Sequence, residues 1–471
     1  MAITSWSGST RTITTARSRR RRPPRRGAEP PDRREHRLGP PVEPVVSVDK
    51  PPARADVVIA GGGIIGLSTA LFLARRGLSV VVCEKGQFVG EQSSRNWGWV
   101  RRMGRDPREL PLIVEAMRLW EGMADLVGAD VGFRRTGILY LCDDDDDAAH
   151  HENWLKRAGD FAFDTRIVRG RELADLLPGA ARSYHAALYT ASDGRAEPQK
   201  AASAIGRAAN AAGATLVGRC AVLGVETANG RISGVVTEHG RIDCSSVVVA
   251  GGVWSTRLLR TLGLKLPQLG VRASVLRTAP VSGGPDGAAW GRQFAYRKRL
   301  DGGYTIADGS LNRHDVGADS FRYFVDFLPI MLKEWRSFSL GLSAGWPEDS
   351  AGSTLFERIR TLDPAPVEDR LSATYAALQQ AFPIFRGVPV EQRWAGMIDA
   401  TPDAVPVISP VKSLPGLIVS TGFSGHGFGI GPGAGRLTAD LVTGERPAVD
   451  PAAFRYERFI DGTRPKPTTG V

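Results

Sequence analysis

Apolar positions in this chain come as short solid runs, as a helical rhythm, or hardly at all. "DVVIA" (56–60) is a solid run of strand length, "IIGLSTALFLARRG" (64–77) has helical rhythm and ends on Gly77, and "LSVVVCE" (78–84) is a second solid run. Short apolar runs bounded by glycine mark strands buried on both faces, so these three segments predict a βαβ unit with parallel strands. The pattern returns downstream: a helix from Pro198 to Ala212, the strand "ATLVG" (214–218), a hairpin, and a buried strand over Val247–Ala250. "FAYRKRLDGGYTIADG" alternates about Asp301-Gly302 and predicts a hairpin within a β-rich middle. The last regular segments are the strand "GLIVSTG", a glycine turn over Gly422–Gly435, and the helix "AGRLTADLVTG". "DFLPIMLKEWRSF" (326–338) predicts a buried helix, and Asp143–Asp147 a solvated loop.

Nucleotide-type pieces thus stand at the start, middle and end, interleaved with β-rich inserts. The expected fold is α/β. A Rossmann-like domain takes residues 53–125, 195–265 and 395–446, a mixed β-sheet substrate domain takes 126–194 and 266–394, and 447–471 form a C-terminal tail.

Charge changes the picture less than it promises. The net +11 is concentrated in residues 1–40, where eleven arginines face only Glu29, Asp32 and Glu35, which leaves +3 for the rest. The Arg- and Pro-rich composition predicts a disordered tail over 1–52, and no nucleic-acid role is expected of the body. Pro, Glu and Asp follow the basic run where a secretory signal needs apolar residues, and no apolar run is long enough to cross a bilayer. Cys83, Cys142, Cys220 and Cys244 lie far apart with no metal-ligand spacing, so no metal site is expected. These features predict a cytoplasmic protein, with peripheral membrane association through "DFLPIMLKEWRSF" as the lesser reading.

The chemistry begins at "VVIAGGGIIGLSTALFLARRGLSVVVCEK". Gly61, Gly63 and Gly66 have GxGxxG spacing between a strand and a helix: the first for the turn, the second for close approach of a pyrophosphate, the third for helix–strand packing. Ile64 and Ile65 open the helix whose N-terminal N–H groups favour the anion. Glu84, followed by Lys85, ends the second strand where a carboxylate accepts from both ribose hydroxyls and repels a 2′-phosphate. The second glycine-rich stretch, "GFSGHGFGIGPGAG", also lies between a strand and a helix, more than 350 residues on. It lacks GxGxxG spacing. Its backbone donors suit the negative charge that develops on a reduced flavin, so the expected cofactor is FAD rather than NAD.

Four signatures in this order, the fingerprint through Glu84, "SSRNWGW", "VVVAGGVWS" and "TGFSGHGFGIGPGAG", resemble the D-amino-acid oxidase / sarcosine oxidase superfamily of FAD-dependent oxidoreductases, including its D-amino-acid dehydrogenase-like members. The resemblance spans about residues 55–445. It implies that Ser93, Ser94 and Arg95 touch the pyrophosphate or ribityl side, that Asn96, Trp97 and Gly98 pass near the flavin, and that Val222 meets the adenine. It also implies that Ala250, Gly251 and Trp254 line the pyrophosphate region, and that Gly422, Gly425, His426, Gly427 and Phe428 surround the flavin.

The implied activity is oxidation of the C–N bond of an amine or amino acid by hydride transfer to flavin, with the imine then hydrolysed and O2 or a quinone as electron acceptor. The alternative is a flavoprotein dehydrogenase of a non-amine substrate, or a subunit of a larger amine or opine dehydrogenase complex. No cysteine follows Cys244 and no histidine stands in "SSRNWGW", so the FAD is expected to be non-covalent. In the family an arginine in a GxRP stretch clamps the substrate carboxylate; here Met397 and Ile398 occupy that stretch, and Gly429 replaces the lysine of sarcosine oxidases. A replacement clamp is sought among Arg297, Lys298, Arg393 and Arg101, and the substrate-facing candidates are Tyr296, Arg297 and Met397, with Tyr304 and Trp394 nearby.

Overall fold

The computed structural model describes residues 39–309, 312–333, 338–342, 354–463 and 466–467. The disordered tail expected over residues 1–52 lies outside them as far as residue 38. Residues 39–52 run against the folded body: Val48 bridges Val217, and Arg207 donates to Glu43 at 2.8 Å.

Six strands make the first sheet: β1 (Val57–Ala60), β2 (Val80–Cys83), β3 (Thr215–Val217), β4 (Ser246–Val249), β5 (Val407–Pro410) and β6 (Leu417–Thr421). Their spatial order is β5-β6-β4-β1-β2-β3, and all neighbours run parallel except β5 and β6. Every residue of β1, β2 and β6 is buried, as solid apolar runs demand of strands covered on both faces. Helix α1 (Ile64–Arg75) packs against both α2 (Pro198–Ala211) and α3 (Gly427–Thr443). The carboxyl ends of β1, β4 and β6 open on one edge of this sheet, where ligands of open α/β sheets bind.

Among the described residues the second sheet has ten strands and is mixed. Its long strand Leu269–Thr278 pairs with Val390–Ala400 and with Tyr304–Ala307, and beyond these lie Ala295–Lys298, Ala288–Trp290, Ile138–Cys142 and Ala186–Thr190. The strand Ala288–Trp290 runs parallel to Ile138–Cys142 and places Trp290 beside Tyr140.

Three local expectations are corrected. The Asp143–Asp147 run is a helix start: Asp144 caps Asp145–Ala158 by accepting from the Asp147 N–H at 3.0 Å, and three aspartates in the first turn suit the positive end of the helix dipole. The glycine turn ends sooner than expected, since α3 begins at Gly427 and absorbs "GFGIGPGAG". The segment "DFLPIMLKEWRSF" is not a buried helix. Its residues 326–333 lie on the helix Phe324–Lys333, which turns Phe327 and Ile330 inward but leaves Leu332 70% exposed, and Phe338 begins a strand. Among the described residues no helix is long and apolar enough to cross a membrane.

Candidate active site at the strand ends

A cavity of about 620 Å³ opens where β1, β4 and β6 end, and it continues to Trp290 on the Ala288–Trp290 strand of the second sheet. At one end Glu84 is held by two backbone donors, Gly62 N–H and Gly86 N–H, both at 2.8 Å. Burial pushes its carboxyl upward, and the two donors pull against that. Gly61 has φ +119°, and a Cβ there would come within 2.7 Å of the Ala250 carbonyl carbon, so the turn admits no side chain. Gly63 precedes α1 without capping it by a side chain, and no acid occupies the first turn; the cradle is left to backbone N–H groups, one of which bonds Ser93 Oγ at 2.9 Å. At the far end His426, Gly427 and Phe428 bring the start of α3 to the same cavity, again with no capping side chain and no acid in its first turn. Two open helix starts and the Glu84 carboxylate after β2, all on one cavity, fit a long dinucleotide with a redox ring at its far end.

Most expected cofactor residues line this cavity: Gly61, Gly63, Ile64, Ile65, Glu84, Lys85, Ser93, Arg95 to Gly98, Val222, Ala250, Gly251, Trp254 and Gly425 to Phe428. Three do not. Gly66 packs against Gly61, Ser94 bonds the Glu91 carbonyl, and Gly422 donates its N–H to buried Asp399 at 2.8 Å. Lys85 bonds Glu91 at 2.9 Å and lies over the Trp254 ring. His426 is buried and held below its usual pKa by that burial; its Nδ1 lies 2.9 Å from Glu109 Oε2.

The substrate-facing candidates divide differently. Met397 and Ile398 line the cavity, so the position of the family's arginine is apolar here. Tyr296 is a correction: it lies in an apolar cluster with Tyr304 and Phe382, away from the cavity. Arg297 is a second correction, since it is 1% exposed and bonds both oxygens of Glu197 at 2.8 and 3.0 Å. It also donates to the Trp97 carbonyl. Lys298 pairs with Asp286 and Arg393 with Glu368. Of the four replacement cations, Arg101 alone lines the cavity; it donates to the Met103 carbonyl, lies over the Tyr140 ring and has no carboxylate within ion-pair distance among the described residues.

Around Arg101 stand residues that sequence did not single out: Trp99, Tyr140, Trp290, and His151 on the Asp145–Ala158 helix. Burial lowers the His151 pKa to about 4, so this imidazole is neutral. The backbone beyond Arg101 is fixed from below by Asp193, which is wholly buried and accepts from the N–H groups of Arg102 at 2.9 Å and Met103 at 3.2 Å. Burial raises its carboxyl from 3.8 to about 6. A carboxyl with a raised folded-state pKa favours the fold when protonated, so its contribution declines as pH rises from about 4 through 6. Between pH 7 and 5 wild type should gain about 1 kcal/mol over Asp193→Asn in urea unfolding. Activity should move the other way, because only the ionised form accepts both N–H groups: kcat/KM falls below pH 6 in wild type, and the variant lacks that limb. Equal pH slopes of stability in the two proteins would remove Asp193 from this role.

Residues 56–441 match the DAO family, FAD dependent oxidoreductases. The chain is 27% identical over 414 residues to glycine oxidase of Pseudomonas putida, covering 85% of this chain and 98% of that one. It is 24% identical over 422 residues to sarcosine oxidase subunit beta of Rhodobacter capsulatus, covering 88% and 90%. Among solved structures, L-amino acid deaminase from Proteus myxofaciens in complex with anthranilate superposes with a TM-score of 0.84 at 33% identity, over 89% of this chain and 96% of that one. The two helix starts, the carboxylate of Glu84 and this agreement along most of the chain lead to one statement: the protein belongs to the DAO family of FAD-dependent oxidoreductases.

Proposed function

We propose that this chain oxidises the C–N bond of an α-amino acid whose carboxylate is held by Arg101. The observation that carries the reading is a half-buried guanidinium without a carboxylate partner among the described residues, in a part of the cavity walled by aromatic rings and continuous with the dinucleotide cradle. The relatives named glycine oxidase, sarcosine oxidase subunit beta and L-amino acid deaminase support the substrate class.

In this reading Gly61, Gly63 and Glu84 would hold the nucleotide end of FAD, and the start of α3 would hold the flavin end. FAD held there would supply the acceptor for the hydride leaving the substrate's α-carbon. The protein's part is position and medium. Arg101 forks onto the carboxylate and sets the α-carbon's place. The aromatic walls exclude water and penalise the ammonium form, so the substrate's nitrogen sheds its proton and offers the lone pair that hydride loss requires. Water then adds to the free imine, giving an oxo acid and ammonia.

The test is reduction of the flavin without oxygen. α-Amino acids should bleach the holoprotein, while 2-hydroxy acids and amines without a carboxylate should leave it yellow; bleaching by hydroxy acids, or equally by amines without a carboxylate, overturns the reading. Peroxide released in step with turnover in air identifies oxygen as acceptor, and reduction of a soluble quinone without peroxide identifies quinone.

A further inference from the structure

We infer that the compartment beside Arg101 is an aromatic cage that selects α-amino acids with an aromatic side chain. This rests on the amino-acid reading above and makes it specific.

Four rings meet there. Trp97 contacts Trp99 and Trp290 with centroids 5.5 and 5.3 Å apart, and Trp290 contacts Trp99 at 6.1 Å and Tyr140 at 5.2 Å. These four contacts are edge-to-face, at interplanar angles of 70–76°. All four residues line the cavity, and three separate backbone segments supply them. The indole N–H groups add a second observation. Trp120, Trp154, Trp254 and Trp394 each donate to a protein oxygen. Trp97, Trp99 and Trp290 have no such acceptor among the described residues, and the Tyr140 hydroxyl is buried without a partner. Three indole N–H groups and one phenol hydroxyl without a protein acceptor thus belong to residues that line the cavity, where a ligand can meet them.

Two ligand chemistries suit a cage of rings: an alkylated ammonium and an aromatic or bulky apolar group. Charge decides between them. The Arg101 guanidinium already lies 5.6 Å from the Tyr140 ring centroid, and Arg105 lines the same region. A second cation there meets repulsion, whereas a neutral ring packs edge-to-face and leaves its carboxylate to Arg101.

The experiment compares kcat/KM for phenylalanine and tryptophan with alanine and glycine, in both configurations, on holoprotein. Wild type should favour the aromatic substrates by about 100-fold, and Trp290→Ala or Trp99→Ala should cut that ratio about tenfold or more. Trp290→Phe, which keeps a ring in place, should restore part of it. Thermal shifts by benzoate against acetate give a readout independent of turnover, and the benzoate preference should vanish in the alanine variants. Preference for glycine or alanine in wild type, or an unchanged ratio in both alanine variants, overturns the cage while leaving amino-acid oxidation standing. Failure to oxidise any amino acid strikes at the proposed function itself.

Discussion

Arg101→Met is expected to lower kcat/KM for an α-amino acid about 100- to 1,000-fold and to leave the protein yellow with its full complement of FAD. The size follows from a carboxylate moved out of water and left without its cation, which costs roughly 2–5 kcal/mol. Methionine fills much of the same space, so packing against Tyr140 survives and the loss isolates the charge. Arg101→Lys should fall between, about 10- to 30-fold down, because lysine keeps the charge but loses the two-pronged fork. The penalty should appear largely in KM, and competition by simple carboxylates should weaken in parallel. A variant within threefold of wild type, with unchanged carboxylate inhibition, would place the substrate's anchor elsewhere.

The proposed anchor is within reach of the sequence only as one of four candidates, and the reason is physical. The cofactor cradle is written locally: Gly61 to Glu84 lie on one βαβ unit, and "SSRNWGW" follows within ten residues. The substrate side is assembled from distant segments. Alternation correctly separated Tyr296 from Arg297, yet neither side of that strand faces the cavity; Tyr296 joins an apolar cluster, and Arg297 is claimed by Glu197, 100 residues earlier. Trp290 reaches Tyr140 because two short strands pair in parallel across the sheet, and no short-range pattern announces such a pairing. The acidic run was misread because a string of aspartates looks solvated whether or not a helix dipole receives it.

The glycine-rich stretch near the end gives the sharpest case, and the second large prediction. Helix propensity alone says that Gly435→Ala, inside α3, should stabilise the protein by about 1 kcal/mol. The contact with α1 reverses that sign. A Cβ on Gly435 would lie 2.8 Å from both the Ser68 carbonyl carbon and the Thr69 nitrogen, and closer still to Ser68 Cβ. Two of these are backbone atoms, so no rotamer change makes room and the two helices must move apart. Overpacking of this kind costs about 1–3 kcal/mol even where side chains can adjust, and here they cannot. Separation also disturbs both helix starts of the cradle, since α1 opens at the Gly61 turn and α3 opens at His426. The expected result is a Tm lower by about 5 °C or more and FAD held at least tenfold more weakly. Gly444→Ala is the companion measurement: that residue ends α3 at φ +71° with open space around it, so it should cost only the left-handed backbone strain, about 1 kcal/mol, and leave FAD affinity unchanged. If Gly435→Ala instead raises Tm and keeps its flavin, propensity has won, and the glycines of this stretch serve a purpose other than the close approach of two helices.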